Sequence, residues 1–265
     1  MRKRSLAIVP VVLVVAAVLG VTCGPGEDPE GTAWGVREGF ETVDRFPHDP
    51  LAFTQGLVFS DGRLFEGTGQ YDGQSSLREL DPRSGRVLRR VSLENDLFGE
   101  GIAVAGDRIF QLTWQNRRVL VWNRDTFERV AEYTYRGEGW GLAYDGERFI
   151  RSDGTAILRF HDAETFAETG QVVVVEGGRP VADELNELEW IDGEIWANSW
   201  KWDRILRIDV ETGRVLGRID CSGIIGLPHP REDRVMNGIA QDPETGRILV
   251  TGKNWDEIFE IVRRP

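Results

Sequence analysis

The 265-residue chain has few of the side chains that build metal centres and disulfide frameworks, with 2 cysteines and 3 histidines. Cys23 and Cys221 lie far apart in the sequence, and His48, His161 and His229 are scattered without the spacing of metal ligands. The chain also lacks a glycine-rich phosphate loop and the nucleophile-elbow motif of hydrolases. We therefore expect no metal site, no cofactor and no disulfide-stabilised fold.

Long apolar runs are absent except at the N-terminus. There a basic segment, residues 1–4, precedes sixteen consecutive apolar residues, 6–21. This pattern predicts a secretory signal over residues 1–22, because the run is too short and too one-sided in charge to favour a spanning helix. We expect an exported protein, periplasmic or extracellular.

Cys23 follows this segment and is itself followed by a polar, Gly- and Pro-rich tether, residues 23–36. The arrangement resembles a lipoprotein processing site, but Gly20 and Thr22 depart from the usual residues before the cysteine. Lipidation of Cys23 and simple cleavage with secretion both remain open, and an uncleaved anchor would give the same topology. A lipid on Cys23 is the only membrane attachment that we expect.

Basic residues are in the minority, with 32 Lys and Arg against 44 Asp and Glu and a formal net charge of −12. Three of the basic residues belong to the signal segment, so the remaining chain is more acidic still. Such a body repels nucleic acid and anionic membranes. No nucleic-acid partner is expected.

Helical periodicity is also missing, and a repeat of strands takes its place. Five segments each show an apolar strand, a turn such as Asp-Gly or Gly-Asp, and a second strand. They read TQGLVFSDGRLFEGTG from Thr54, GEGIAVAGDRIFQLTW from Gly99, GWGLAYDGERFIRSDG from Gly139, LNELEWIDGEIWANSW from Leu185 and MNGIAQDPETGRILVTGKNW from Met236. Four of them are followed by two further strands around a second turn.

The repeat predicts an all-β protein, a five-bladed β-propeller over residues 37–265. Equivalent positions are spaced by 45, 40, 46 and 51 residues, close to the length of a four-stranded blade. The fifth repeat lacks a fourth strand, and the alternating segment 38–46 can supply it and close the ring. Because closure leaves no sheet edge to pair with another chain, we expect a monomer.

The first strands of propeller blades line a central channel, so equivalent residues should meet at one mouth of it. These residues are Gln55, Glu100, Trp140, Asn186 and Asn237. The second strands end nearby at Trp114, Asp153, Trp200 and Lys253. A cup with apolar walls and a few convergent polar groups is typical of a small-molecule site.

Structural roles compete with this interpretation. Glu100 could be a solvated rim residue or one half of an ion pair with Lys253, and the tryptophans could serve only in packing. Asn186 and Asn237 could satisfy backbone groups in turns. We interpret Glu66, Arg78 and Glu189 as structural.

Ordered motifs resemble a known family. FTQGLVF, FGEGI, GWGLA, SDGT, LNELEW, WAN, and MNGIA followed by VTGKNW occur in the order and register of the plant and bacterial glutaminyl-peptide cyclotransferases, or glutaminyl cyclases. The resemblance spans residues 37–262. It implies a five-bladed propeller that converts the N-terminal glutamine of a peptide or protein to pyroglutamate and releases ammonia without a catalytic metal.

The resemblance also implies a set of site residues. By motif these are Phe53, Gln55, Phe98, Glu100, Trp114, Trp140, Asn186, Trp200 and Lys253. Glu100 is the candidate proton shuttle between the attacking amine and the departing ammonia, and Lys253 and Asn186 are candidates for stabilising the amide oxygen. The aromatic residues, with Gln55, would bind the substrate.

Two other classes of function remain open. The same cup could bind an amine or a peptide N-terminus without turning it over, although a pure binder has no need of Glu100 beside Lys253. A lactonase or a quinone-dependent dehydrogenase would instead need metal ligands or a large cofactor cradle.

Overall fold

The computed structural model of the protein describes residues 34–226 and 234–264. The signal segment 1–22, Cys23, most of the tether and His229 lie outside the described residues. Every regular element in the described ranges is a β-strand, which confirms the all-β prediction. Over those same ranges the structure contains no helix with the length and apolar character needed to span a membrane.

The strands follow the predicted repeat. A long first strand, β1 (Val36–Pro47), is followed by β2 (Thr54–Ser60), β3 (Arg63–Thr68), β4 (Ser76–Leu80) and β5 (Val87–Ser92). The second group is β6 (Gly99–Ala105), β7 (Arg108–Thr113), β8 (Arg118–Asn123) and β9 (Arg129–Thr134). The third is β10 (Leu142–Tyr144), β11 (Arg148–Arg151), β12 (Ile157–Asp162) and β13 (Glu168–Val173).

The second half of the chain continues in the same way after a short hairpin, β14 (Val175–Glu176) and β15 (Arg179–Pro180). The fourth group is β16 (Leu185–Ile191), β17 (Glu194–Ser199), β18 (Arg204–Ile208) and β19 (Val215–Asp220). The last strands are β20 (Met236–Gln241), β21 (Ile248–Gly252) and β22 (Glu257–Arg264).

The first three groups form separate four-stranded antiparallel sheets in chain order, β14 and β15 form a two-stranded sheet, and β1 with β16 to β22 form one eight-stranded sheet. In that sheet β1 lies between β19 and β22. It pairs antiparallel with β22, from Gly39 opposite Arg264 to Pro47 opposite Glu257, and parallel with β19 over three residues. At this edge of the sheet the strand order is β1, β22, β21 and β20.

Turn chemistry fixes the hairpins. Asp61 and Gly62 connect β2 to β3, and Asp192 and Gly193 connect β16 to β17, all with positive φ. Two successive positive φ angles match the right-handed twist of the strands, and Asp-Gly adopts them at low cost. The Asp-Gly pairs are turns, as the sequence predicts.

The first strand of each group contacts the first strand of the next in a cyclic order: β2 with β6, β6 with β10, β10 with β16, β16 with β20, and β20 with β2. Glycines permit this close approach. A Cβ on Gly101 would lie 2.7 Å from the nitrogen of Leu142, and one on Gly141 would lie 2.0 Å from the carbonyl oxygen of Asn186.

Within residues 34–226 and 234–264 the core consists of five apolar clusters, each between two neighbouring groups of strands. One example joins Phe65 and Leu77 of the first group to Ile109 and Leu120 of the second. Another joins Leu57 to Leu249 and so links the first group to the last. Burying side chains of this size contributes about 1.5–3 kcal/mol each, so the packed faces of the sheets are the main source of stability.

Candidate active site

Breaks in strand register place the predicted site residues. In β2, β6, β16 and β20 the pairing with the next strand slips at one point. The residues at these slips include Gln55, Glu100, Asn186 and Asn237. A β-bulge releases its residues from the hydrogen-bonded ladder and redirects their side chains. Each of these four strands can therefore present a polar side chain near its first residues.

One cavity of about 190 Å³ collects the side chains that the sequence singles out. It is lined by Phe53, Gln55, Phe98, Glu100, Trp114, Trp140, Asn186, Trp200 and Lys253. All nine predicted site residues therefore surround one space, which is suited to a group the size of one amino acid. Asn237 and Asp153, which the repeat alone would have included, are not part of this lining.

Aromatic rings form most of the wall in edge-to-face contact. Phe53 and Phe98 have ring centroids 6.1 Å apart at 81°, and Phe98 and Trp114 have centroids 5.8 Å apart at 61°. On the other side Trp140 and Trp200 lie 5.3 Å apart at 87°. Such pairs add about 0.5–1.5 kcal/mol beyond burial, and they hold the walls in fixed orientations.

The two ionisable groups of the cavity are both buried, with Glu100 4% and Lys253 5% exposed. Burial raises the pKa of Glu100 well above its ordinary value; the ammonium of Lys253 opposes this shift and Glu138 adds to it. Burial lowers the pKa of Lys253 to about 8, against the attraction of Glu100. Burial thus shifts the pKa of the acid upward and the pKa of the amine downward, the directions that favour proton transfer near neutral pH.

Within the described residues, neither the Glu100 carboxyl group nor the Lys253 amine takes part in an ion pair. Among residues 34–226 and 234–264, Glu100 and Lys253 form no ion pair with each other, which removes one structural explanation for the carboxylate. The Lys253 ammonium lies 4.8 Å from the ring centroid of Phe53. Both groups are therefore free to interact with a ligand in the cavity.

Amide side chains supply further polar contacts. The Nδ2 of Asn237 donates to the Thr54 carbonyl and to Oε1 of Gln55, both at 3.0 Å. Because Oε1 of Gln55 is occupied, its Nε2 remains available as a donor at the cavity. Asn186 is 2% exposed, and its Oδ1 has no hydrogen-bond partner in the described part of the chain. Asn237 does not line the cavity itself, but it fixes the orientation of the Gln55 side chain.

Glu138 is a site residue that the sequence reasoning missed. One of its oxygens, Oε2, accepts hydrogen bonds from the indole nitrogens of Trp114 at 2.7 Å and Trp140 at 3.1 Å. A sequence signal existed: Gly137-Glu138-Gly139 repeats the pattern of Gly99-Glu100-Gly101, but two residues ahead of the position that aligns with Glu100.

Two further buried carboxyl groups connect inner strands: Glu187, which the sequence reasoning did not single out, and Glu189, which it interpreted as structural. Glu187 accepts hydrogen bonds from the backbone nitrogens of Leu57 at 3.3 Å and Ile239 at 2.9 Å. Burial, with the neighbouring Glu189, raises the pKa of Glu187 well above its ordinary value. Glu187 joins three inner strands and so serves the architecture, as Glu189 does through the Gln241 backbone nitrogen at 3.1 Å.

The other residues interpreted as structural have partners that do not line the cavity. Glu66 accepts hydrogen bonds from Thr54 at 2.7 Å and pairs with His48 at 2.9 Å, and Arg78 donates to Asp49 at 2.9 Å. In the described ranges no cluster of three or more His, Cys, Asp or Glu side chains is arranged to hold a metal ion.

Fold and site together define a class: an all-β protein of repeated four-stranded sheets with a small, aromatic-walled cavity that holds a carboxyl group and an amine. Comparison with known proteins identifies a family. The model of the family described as "Glutamine cyclotransferase" matches residues 13–262. The chain belongs to this glutamine cyclotransferase family, which confirms the resemblance carried by its motifs.

Two relatives support the assignment. A glutaminyl-peptide cyclotransferase of Arabidopsis thaliana is 38% identical over 275 residues, which cover 98% of this chain and 84% of that protein. The crystal structure of Myxococcus xanthus glutaminyl cyclase matches with a TM-score of 0.80 and 39% identity, covering 87% of this chain and 98% of the other.

Proposed function

We propose that this protein is a glutaminyl-peptide cyclotransferase, which converts the N-terminal glutamine of a peptide or protein to pyroglutamate with release of ammonia. The observation that carries the proposal is the pairing of a buried carboxyl group, Glu100, with a buried amine, Lys253, in an aromatic cavity of one-residue size. Family membership supplies the substrate class.

Cyclisation joins two parts of one residue. The α-amine attacks the carbon of its own side-chain carboxamide, a C–N bond forms, and the bond to the amide nitrogen breaks. Because both reactants belong to the substrate, the enzyme must mainly hold the side chain folded back toward the amine. The rigid rings of Phe98, Trp114 and Trp140 suit that task.

Glu100 is our candidate for the proton shuttle. The attacking amine loses a proton and the departing ammonia gains one, so a single carboxylate between the two nitrogens can serve first as base and then as acid. Burial raises the pKa of Glu100 and so makes its carboxylate a stronger base toward the attacking amine. The absence of an ion pair with a described residue leaves the carboxylate free for this role.

Lys253 and Asn186 are our candidates for stabilising the negative charge that grows on the amide oxygen. A cation and an amide donor in a cavity with little water act strongly on such a charge. Gln55 contributes a further donor, because Asn237 occupies its oxygen. The mechanism uses only groups of this chain and no metal ion.

At the level of the fold we propose a five-bladed propeller closed by the N-terminal strand. Support comes from the cyclic contacts of β2, β6, β10, β16 and β20, and from the pairing of β1 with β22. We also propose a monomer, and export directed by residues 1–22, with Cys23 as either a lipidated or an unmodified N-terminus. Mass spectrometry of the mature protein would distinguish these two forms of Cys23.

The activity is tested on a short peptide that begins with glutamine, by mass spectrometry and ammonia release. We expect the loss of one ammonia, unaffected by a chelator. The same peptide with an acetylated amine, or with asparagine first, should not react. Glu100→Gln should lower kcat by about 10²–10⁴-fold, while exposed Glu147→Gln should have no effect. Saturable binding without turnover by the unaltered protein would mean a binding module instead.

A further inference from the structure

Glu138 connects two parts of the aromatic cavity wall through hydrogen bonds to Trp114 and Trp140. Ring contacts run without interruption from Phe53 through Phe98 to Trp114, and a second contact joins Trp140 to Trp200. Between Trp114 and Trp140 the connection is the Glu138 carboxylate, which accepts from both indole nitrogens through one oxygen. The two halves of the wall therefore depend on this residue for their spacing.

We propose that Glu138 is a positioning residue of the cyclisation site: its carboxylate clamps the indoles of Trp114 and Trp140, and its charge acts on Glu100 in the cavity that these indoles line. Hydrogen bonds to a carboxylate are about twice as strong as neutral ones, and two on one oxygen fix both rings. The inference rests on the proposed function, because it concerns the same site and reaction.

The clamp is itself held in place. The Oε1 atom accepts a hydrogen bond from Nε2 of Gln115 at 3.3 Å, so both carboxylate oxygens are used. Burial opposes ionisation of Glu138, but hydrogen bonds from Trp140, Trp114 and Gln115 outweigh it and hold its pKa below the ordinary value. Glu138 is therefore ionised at neutral pH.

Behind the clamp, a buried arginine fixes the backbone. The guanidinium of Arg151 donates to the carbonyl oxygens of Glu138 and Arg136, and its Nε donates to Nε2 of His161 at 3.1 Å. His161 can accept this bond because burial lowers its pKa to about 4, and its Nδ1 donates to the Phe166 carbonyl at 3.0 Å. Such a buried, fully partnered network is a rigid support.

The charge of Glu138 gives the clamp a second effect. The groups acting on Glu100 are the Lys253 ammonium, which favours its ionised form, and the Glu138 carboxylate, which disfavours it; Tyr135 is a further neighbour. Asp153 acts on Glu138 in turn. Removing the negative charge at position 138 should make Glu100 more acidic, and the acid limb of kcat/KM should move to lower pH.

Two substitutions separate the clamp from the charge. Glu138→Gln keeps an oxygen acceptor for the indoles but removes the charge, whereas Glu138→Ala removes both. We expect Glu138→Ala to lower kcat/KM on the order of 10–100-fold, mainly through KM, because misplaced walls bind the folded substrate poorly. Glu138→Gln should keep KM near that of the unaltered protein and shift the acid limb downward.

Nuclear magnetic resonance of the indole N–H groups tests the clamp without turnover. The chain has 9 tryptophans. Glu138→Ala should move two of their signals, identified with Trp114→Phe and Trp140→Phe, and Glu138→Gln should move them less. Exposed Glu147→Ala and Glu147→Gln remove the same charge elsewhere and should change neither the signals nor the pH profile.

A folded Glu138→Ala protein with unchanged indole signals and unchanged KM would overturn the clamp. If that variant fails to fold, the Glu138→Gln protein decides, because an unshifted acid limb would overturn the charge effect. Moved indole signals in Glu138→Ala, together with an unaltered protein that never releases ammonia, would support the clamp and reject the proposed activity.

Discussion

Replacing Lys253 by methionine should lower activity and raise stability together. Burial lowers the pKa of Lys253 from 10.5 to about 8. At neutral pH the native protein therefore carries a charge that the unfolded chain holds more easily, at a cost of about 3 kcal/mol. Methionine has a similar length and no charge, so at pH 7 Lys253→Met should be more stable by about that amount.

The partner of the lysine does not cancel this gain. Removing the ammonium leaves Glu100 without the one group that favours its ionised form. Burial then raises the pKa of Glu100 further, so the neutral form of its carboxyl group becomes more favourable in the cavity. Activity should fall by about 10²–10³-fold, because a cation no longer faces the developing negative charge.

The pH dependence identifies the cause. The folded pKa of Lys253 is lower than the unfolded value, so the cost is complete below pH 8 and disappears as the pH rises toward 10.5. The stability difference between Lys253→Met and the unaltered protein should shrink from about 3 kcal/mol at pH 7 to about 1 kcal/mol at pH 10.

Urea unfolding at 25 °C measures the stability difference at pH 7 and at pH 10, and cyclisation of a glutamine peptide measures activity. Lys201 is a matched control, because it is exposed beside Trp200, with its Nζ 4.2 Å from that ring. Lys201→Met should change stability by less than about 0.5 kcal/mol. A destabilised Lys253→Met protein would refute the reasoning and show that the lysine serves the fold.

Two further substitutions test the parts around the site. Burial raises the pKa of Glu189 to about 8, so the native state loses stability as the pH rises from about 4.5 to 8. In urea unfolding, Glu189→Gln should be more stable than the unaltered protein by an amount that grows across this pH window. Glu244→Gln, at an exposed position, should show no such gain. Gly141→Ala should lower the free energy of unfolding by about 1–3 kcal/mol and remove most of the activity, because its Cβ would lie 2.0 Å from the Asn186 carbonyl oxygen. Gly39→Ala, whose Cβ would have no atom within 4 Å, should change neither stability nor activity. An unaffected Gly141→Ala protein would contradict the close approach of the two strands.

Much of the fold could be predicted because its signals are local. Two-residue turns such as Asp61-Gly62 occur where the backbone requires positive φ, and alternating strands surround them. The repeat then predicts which strands are innermost, and hence that Gln55 and Glu100 should lie close together. The ends of the second strands added Lys253, and the family motifs completed the set with Phe53 and Phe98.

The rest depends on contacts that no local pattern records. Asn237 aligns with Gln55 in the repeat, yet it lies behind Gln55 and donates to it, because a bulge shifts each strand by its own amount. Glu138 belongs to a loop, and its importance arises from two indoles brought to it by different strands. Equivalence in a repeat predicts a neighbourhood, but it does not predict which way each side chain turns.

Burying the carboxyl group of Glu100 at the start of an apolar strand reduces the stability of the fold, so folding by itself does not explain its position. Its pKa is raised, it has no ion-pair partner in the described chain, and Lys253 nearby is buried at a similar cost. The five apolar clusters between the sheets offset these costs from outside the cavity. A scaffold stabilised by its outer packing can keep two poorly solvated groups at its centre, and those groups are the ones that proton transfer and charge stabilisation require. Substitutions that replace these buried ionisable groups with neutral ones should therefore stabilise the protein and impair catalysis. Substitutions in the apolar clusters should destabilise the protein without changing the pH profile of kcat/KM.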